Sequence, residues 1–154
     1  MRKLLWLCLF RVATADPIDL KQLSSRSPSG LVCCTVWCSH CASCRKVEPE
    51  LLRLYRDMQG KVTVVAIDAN DNDDAQSIAA YALPMPVLMD PRGGLADRYK
   101  IDVTTTTLIF DSQQSLRYFG QFQGARKALQ ELLDKRPVTT PVTPLEGCTI
   151  IRHR

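Results

Sequence analysis

The chain has 154 residues, of which 45% are hydrophobic and 23% charged, so a single soluble globular domain with its own core is expected. Its formal net charge is +4, but three positive charges lie in the first fifteen residues, which contain no acid, and the remainder carries +1. This balance gives no electrostatic reason to expect nucleic acid or a membrane surface as a partner.

The N-terminus has the layout of an export signal. Basic residues open it, an apolar stretch runs from Leu4 to Phe10, and Ala13-Thr14-Ala15 is typical of a cleavage site. We therefore expect residues 1–15 to be a signal peptide and the protein to be exported, to the periplasm or another extracytoplasmic site. The alternative is an apolar N-terminal segment that packs on the domain. No later segment is long enough to span a bilayer.

A strand, a helix and a second strand follow a short lead-in and loop at 18–30. Residues 31–37 form a continuous apolar run, which is typical of a strand buried on both faces. From Cys41 onward, apolar residues recur at three- and four-residue spacing, which predicts a helix kinked at Pro49. Residues 61–67 are again apolar and β-branched. A strand–helix–strand unit of this kind predicts two parallel strands.

The rest of the chain alternates short helical and extended segments. We expect a polar turn at 68–74, a short helix that ends near Ala82, and a brief strand at 86–90. A turn at 91–94 and a helical turn at 95–99 should follow, and then an antiparallel hairpin of 104–110 with 115–119. The chain should close with a helix whose apolar residues run from Ala125 to Leu133, followed by an extended tail at 137–154. The domain itself is predicted to span residues 16–136.

Cysteine is unusually clustered in this chain. Of seven cysteines, five lie within residues 33–44, whereas a disulfide-stapled scaffold would spread them along the sequence. Cys38-Ser-His-Cys41-Ala-Ser-Cys44 contains two overlapping CxxC spacings between the predicted first strand and its helix. A thiol pair at a strand-to-helix junction is the usual layout for reversible disulfide chemistry. The pattern favours a redox or metal site over a structural framework.

This order of elements resembles the thioredoxin fold, an α/β architecture with a central mixed β-sheet flanked by helices on both faces. Residues 36–51 are similar, without a gap, to the F-W-A-T-W-C-x-x-C-[RK]-x-x-x-P-x-L pattern of the redoxin branch, which includes the AhpC/TSA proteins. Arg45 and Pro49 fix the register, and the resemblance spans roughly Ile18 to Lys135. It implies that Cys41 and Cys44 are the redox pair.

The chain departs from that family pattern at three positions. Cys38 stands where the family has Ala, and His40 stands where it has a second Trp. Residues 99–111 are similar to the family's Y-G-V-x-G-x-P-T-T-F-L-I-D, which puts Thr105 where a cis-proline is usual. Because a cis bond before another residue costs about 2.5–4 kcal/mol, we expect a trans or reshaped loop at Thr105.

The thiols are expected to divide the chemistry between them. A thiolate is the attacking species, and Cys41 lies at the predicted helix N-terminus, where free backbone N–H groups and the helix dipole favour an anion. Cys44, one turn further on, is expected to be more shielded and to resolve the mixed disulfide. His40 and Arg45 add positive charge. Cys38 is either a third redox thiol or a substitution without a role.

Three further cysteines and one acid are also candidates for a part in the site. Cys33 and Cys34 are expected to be small buried hydrophobic residues because they lie in mid-strand. Cys148 could form a second bridge at the site, but a thiol of the tail is the expected reading. Asp68 could accept a proton from Cys44, but a helix cap or a solvated acid is expected.

The sequence thus predicts a thiol–disulfide oxidoreductase that maintains redox balance by passing two electrons between Cys41/Cys44 and protein thiols or disulfides. It predicts an upstream redox partner, no cofactor or metal, and a monomer.

Two alternatives remain open. One is a thiol peroxidase of the AhpC/TSA type, because Thr35-Val-Trp-Cys38 is similar to the peroxidatic T-x-x-C. That motif also needs a proline four residues before the Thr, where Leu31 stands. The other is a copper or zinc carrier with soft sulfur ligands, using Cys38, His40, Cys41 and Cys44.

Overall fold

A five-stranded mixed sheet organises the chain in a computed structural model, which describes residues 18–152. The predicted signal peptide, residues 1–15, lies outside the described residues. The strands are β1 (Val32–Val36), β2 (Thr63–Asp68), β3 (Val87–Met89), β4 (Thr106–Phe110) and β5 (Leu116–Gln121). The helices are α1 (Leu20–Ser24), α2 (Ala42–Asp57), α3 (Ala75–Tyr81), α4 (Gly94–Arg98) and α5 (Ala125–Leu133), with short 3₁₀ turns at Pro91–Gly93 and Phe122–Gly124.

The sheet has the order β3-β2-β1-β4-β5. β1 pairs in parallel with β2, and β2 with β3, as a right-handed crossover through a helix requires. β1 pairs antiparallel with β4, which forms a hairpin with β5. The predicted parallel pair and the predicted hairpin are both confirmed.

Alternate residues of β1 belong to two hydrophobic clusters, one on each face of the sheet. Cys33 packs on the face covered by α2 and α5, together with Leu51 and Leu129. Cys34 packs on the other face, where Leu95 of α4 covers it. Because helices cover both faces, the central strands are apolar throughout, as the sequence indicated. The predicted α/β class with helices on both faces is confirmed.

Helix α2 begins at the cysteine cluster and carries the site. Its four buried apolar positions lie at three- and four-residue spacing and face the core, namely Cys44, Val47, Leu51 and Leu54. The helix continues through Pro49 to Asp57. Its first turn therefore meets the carboxyl ends of β1 and β2 with its N–H groups pointing toward the thiols.

Two segments differ from the prediction. The lead-in at 18–30 contains α1, which Asp19 caps by accepting hydrogen bonds from the backbone N–H groups of Lys21 and Gln22. The tail is extended, as expected, but it packs back on the sheet through two isolated bridges, Val142 with Phe119 and Thr149 with Val103. Within residues 18–152 we find no helix with the length and apolar character needed to cross a membrane.

Candidate thiol site

Three thiols meet at the junction between β1 and α2. The sulfur atoms of Cys38, Cys41 and Cys44 all lie within 4.8 Å of one another. Cys38 is contributed by the loop after β1, Cys41 caps α2, and Cys44 lies in the first turn of that helix. The two overlapping CxxC spacings therefore form one three-sulfur cluster, which we call the thiol cluster.

Cys41 is the N-cap of α2, one residue before the first helical residue. Its sulfur accepts a hydrogen bond from the backbone N–H of Cys44 at 3.4 Å and lies 3.1 Å from the hydroxyl oxygen of Thr104. Both groups can donate to a sulfur anion, and the helix dipole acts in the same direction. The geometry therefore suits a thiolate at Cys41.

Cys38 and Cys44 are electrostatically paired. A hydrogen bond from the Cys44 thiol lowers the pKa of Cys38 to about 6, in spite of burial. The same hydrogen bond, together with burial, raises the pKa of Cys44. At neutral pH, Cys38 is therefore the thiolate of this pair and Cys44 the protonated donor, so Cys38 is an integral member of the cluster.

Arg45 fixes the loop that holds Cys38. Its guanidinium donates to the backbone carbonyls of Ser39 at 2.5 Å and of Cys38 at 2.9 Å, and it pairs with Glu48 at 2.6 Å. It also lies over the ring of Tyr81, 4.3 Å from the ring centre. The positive charge expected near the thiols therefore acts mainly by fixing the backbone around them.

A buried acid that the sequence analysis did not single out orients the opposite side of the loop. Asp73 accepts hydrogen bonds from the backbone N–H of Ser39 at 2.8 Å and from its hydroxyl, and lies 3.3 Å from Nε2 of His40. Burial alone would raise the pKa of Asp73, but the polar groups of Asp68, Ser39 and His40 outweigh burial and lower it. The His40 side chain is 68% exposed, so it lies outside the thiol cluster.

Asp68 does not match either role considered for it. It is 3% exposed at the end of β2, and Oδ1 accepts the backbone N–H of Asn70 at 2.9 Å. Burial, with the neighbouring carboxylate of Asp73, raises the pKa of Asp68 to about 9. Because it stays protonated at neutral pH, it is unsuited to accept a proton from Cys44. The Cys38 thiolate is the better-placed acceptor.

The tail brings a fourth thiol to the cluster. Cys148 donates its backbone N–H to the Thr104 hydroxyl oxygen at 3.0 Å and accepts the Thr104 N–H at 2.8 Å. Its thiol lies 3.6 Å from the hydroxyl of Ser43. The expectation of a thiol remote from the site is therefore wrong, because the bridge between Val103 and Thr149 holds the tail against the loop before β4.

Thr105 lies in a reshaped loop, as predicted. Its peptide bond is trans, like the others in the described part of the chain, and its φ is +63°, which is unusual for a β-branched residue. The backbone N–H donates to the Val36 carbonyl at 2.6 Å, and the hydroxyl donates to the Glu146 carbonyl at 2.7 Å. Thr105 therefore anchors the tail as well as the end of β1.

The remaining candidates lie apart from the cluster. Cys33 and Cys34 are fully buried within β1, and burial raises the pKa of Cys33 to about 12 and that of Cys34 further. They pack as the small hydrophobic residues that were expected. Thr35, the threonine of the T-x-x-C similarity, has its hydroxyl oxygen 2.9 Å from that of Thr107. The Thr35 hydroxyl therefore forms a hydrogen bond to the neighbouring strand.

Solvent access distinguishes the four thiols of the site. Cys38 and Cys41 are each 3% exposed, and Cys44 is fully buried. Cys148 is half-buried. The three sulfurs of the thiol cluster are close enough to bind one thiophilic ion such as copper(I) or zinc.

Comparison with known proteins finds relatives of this chain. The chain is 26% identical over 131 residues to the thioredoxin-like protein YneN of Bacillus subtilis, covering 78% of this chain and 76% of that protein. An uncharacterised conserved protein from Geobacillus kaustophilus has a similar structure, with a TM-score of 0.77 and 27% identity, covering 88% of this chain and 82% of that one.

A third similar structure is the exposed lipoprotein thioredoxin of Streptococcus pneumoniae, with a TM-score of 0.58 and 18% identity over 73% of this chain and 89% of that one. At this identity the likeness shows the shared thioredoxin fold. The family model described as AhpC/TSA matches residues 10–119, which is more than half of the sequence. The chain therefore belongs to the AhpC/TSA family and has a thioredoxin-like fold.

Proposed function

We propose that this protein is a thiol–disulfide oxidoreductase that exchanges a disulfide between Cys41 and Cys44 with protein partners. The observation that carries the proposal is the position of Cys41 as the N-cap of α2, with its sulfur accepting the Cys44 N–H at 3.4 Å. An anion is stabilised there, and a second sulfur lies within 4.8 Å to displace what the first captures.

The proposed exchange has two steps. The Cys41 thiolate attacks one sulfur of a partner disulfide, forms a mixed disulfide and releases the other partner sulfur as a thiolate. The Cys38 thiolate then takes the proton of Cys44, and the Cys44 sulfur attacks Cys41. A Cys41–Cys44 disulfide forms, the second partner thiol leaves, and two electrons have passed to the partner. Run backwards, the same steps oxidise a partner dithiol.

Cys41→Ser tests this mechanism. The reduced protein is mixed with a peptide dimer joined by one disulfide, and release of both peptide thiols is followed. Wild type should release two thiols per molecule, whereas the variant should lose this two-electron reduction because the sulfur that carries the mixed disulfide is missing. A variant that reduces the probe at the wild-type rate would rule the mechanism out.

Cys33→Ala is the matched control. It also removes one buried thiol, but Cys33 lies in β1 outside the thiol cluster, so this variant should reduce the probe as wild type does. Circular dichroism of both variants establishes that they are folded.

Export remains part of the proposal. We propose that residues 1–15 are a signal peptide, that the domain spans residues 16–136 with a tail at 137–154, and that the protein works outside the cytoplasm as a monomer. The exposed lipoprotein thioredoxin with the same fold supports this location. N-terminal sequencing of the protein purified from its own host tests it, and an intact Met1 would contradict it.

A second candidate function, a carrier of copper(I) or zinc, is supported by the three sulfurs within 4.8 Å. His40 is not part of the ligand set we propose, since its Nε2 pairs with Asp73. Metal analysis of anaerobically purified protein distinguishes the two functions. Zero bound equivalents would exclude the carrier, whereas one equivalent lost in the Cys38→Ser variant would support it.

A further inference from the structure

Cys148 is the most accessible member of the four-thiol site, although it is half-buried. Cys38, Cys41 and Cys44 are at most 3% exposed, so a partner disulfide has almost no access to their sulfur atoms in this structure. Cys148 is the one cysteine in residues 18–152 that is not fully buried. An exchange reaction at this site therefore needs either a tail that moves away or a thiol on the tail that takes part.

The tail is docked in a way that aligns Cys148 with Cys41. The Thr104 hydroxyl oxygen lies 3.1 Å from the Cys41 sulfur and 3.0 Å from the backbone nitrogen of Cys148, so one side chain touches both residues. Gly147 packs so closely that a Cβ there would lie 2.1 Å from the Thr104 carbonyl oxygen. These contacts hold the tail at the site.

The Cys148 thiol also interacts with the cluster electrostatically. A hydrogen bond from Cys41, followed by hydrogen bonds from Ser43, lowers the pKa of Cys148 to about 7. These hydrogen bonds favour the thiolate, which is the state that attacks disulfides.

We propose that Cys148 is a relay residue that accepts the disulfide from a partner protein and passes it to Cys41. This inference rests on the proposed function and changes its first step. The Cys148 thiolate attacks one partner sulfur, forming a mixed disulfide and releasing the other partner sulfur as a thiolate. The Cys41 thiol gives its proton to the released partner thiolate and attacks the Cys148 sulfur, forming a Cys41–Cys148 disulfide and releasing the second partner sulfur as a thiolate.

The cycle closes inside the cluster. Cys44, having lost its proton to Cys38, attacks the Cys41 sulfur, so a Cys41–Cys44 disulfide forms and the Cys148 thiolate is regenerated. Two electrons have moved from the Cys41/Cys44 pair to the partner, and the relay is unchanged. The partner is a protein with an accessible disulfide, since it has to reach only the tail.

Cys148→Ser tests the relay with the disulfide-linked peptide dimer as probe. The variant should reduce the probe more slowly, on the order of tenfold, because the accessible thiolate is missing. It should still form a Cys41–Cys44 disulfide with glutathione redox buffers at the wild-type midpoint. Thr149→Ser, which alters the next, exposed residue of the tail but keeps the thiol, is the matched control and should react as wild type does.

A tail that acts only as a cover gives the opposite result. Cys148→Ser would then reduce the probe at the wild-type rate or faster, and the relay would be overturned while the proposed function stood. If instead wild type itself forms no Cys41–Cys44 disulfide, the proposed function fails. The two failures are therefore distinguishable.

Cys41→Ser provides a second measurement, which does not depend on the Cys148 variant. With the acceptor missing, one peptide should be released and the other should remain attached to Cys148, where peptide mapping by mass spectrometry locates it. An adduct on Cys38 or Cys44, or no adduct at all, contradicts the relay.

Discussion

The buried carboxyl of Asp68 predicts that this protein loses stability as the pH rises. Asp68 is 3% exposed, and its pKa is raised from 3.8 to about 9, by burial first and by the neighbouring Asp73 carboxylate. In the unfolded chain Asp68 ionises near pH 4, whereas in the native state it stays protonated up to about pH 9. Because the native state binds more protons between these values, the free energy of unfolding falls across that range.

The size of the effect follows from the same values. Each pH unit above the ordinary pKa contributes about 1.4 kcal/mol, so the ceiling at pH 7 is about 4 kcal/mol. Measured penalties for buried polar groups are smaller, about 1–3 kcal/mol, and we expect Asp68→Asn to stabilise the protein at pH 7 by that amount. Asparagine mimics the protonated acid, since its oxygen can still accept the Asn70 N–H.

Urea unfolding of wild type and Asp68→Asn from pH 4 to pH 9 measures this effect. The stability difference between the two proteins should grow with pH, because only the wild type carries the buried carboxyl that ionises on unfolding. Asp102→Asn, which makes the same substitution at an exposed position, is the control and should change stability by less than about 0.5 kcal/mol. A difference that is constant with pH, or a variant less stable than wild type at pH 8, would refute the reasoning.

Three further changes probe the site. Gly147→Ala should displace the tail, because a Cβ would lie 2.1 Å from the Thr104 carbonyl oxygen. Iodoacetamide should then alkylate the thiols of the cluster faster than in wild type, and unchanged rates would contradict the close packing. Glu48→Gln should lower the free energy of unfolding in urea by roughly 1–3 kcal/mol, since the partly buried ion pair with Arg45 is lost. Glu50→Gln, which removes the exposed pair with Arg53, should have little effect. Equal effects of the two variants would contradict a stabilising role of the Arg45–Glu48 pair. Alkylation of Cys148 should reach half its maximal rate near pH 7, and a midpoint near the ordinary thiol pKa of about 8.5 would disagree.

Local patterns in the sequence were sufficient to predict the frame of the site. The apolar run at 31–37 predicted β1, because a strand buried on both faces is apolar at every position. The three- and four-residue spacing of apolar residues after Cys41 predicted α2, because a helix buried on one face repeats its apolar residues at that spacing. The spacing of Cys41, Arg45 and Pro49 set the register of the resemblance to the AhpC/TSA family. These features need only residues that are neighbours in the sequence.

Long-range contacts could not be predicted in the same way. Cys148 reaches the site through hydrogen bonds to Thr104, more than forty residues away in the chain, and nothing in the tail's own composition specifies that pairing. Asp73 stood in a polar turn with several equivalent acids, and only the folded chain reveals which one meets Ser39. The ionisation of Cys38 depends on its hydrogen bond with Cys44, which is likewise a product of packing.

The most direct test of the thiol chemistry is to map disulfides by differential alkylation and mass spectrometry across a series of glutathione potentials. We predict a single equilibrium disulfide, between Cys41 and Cys44, that forms and disappears over one two-electron transition, while Cys33 and Cys34 remain free thiols throughout. If Cys41 and Cys44 stay reduced at every potential, or if the stable disulfide joins a different pair, the account is contradicted.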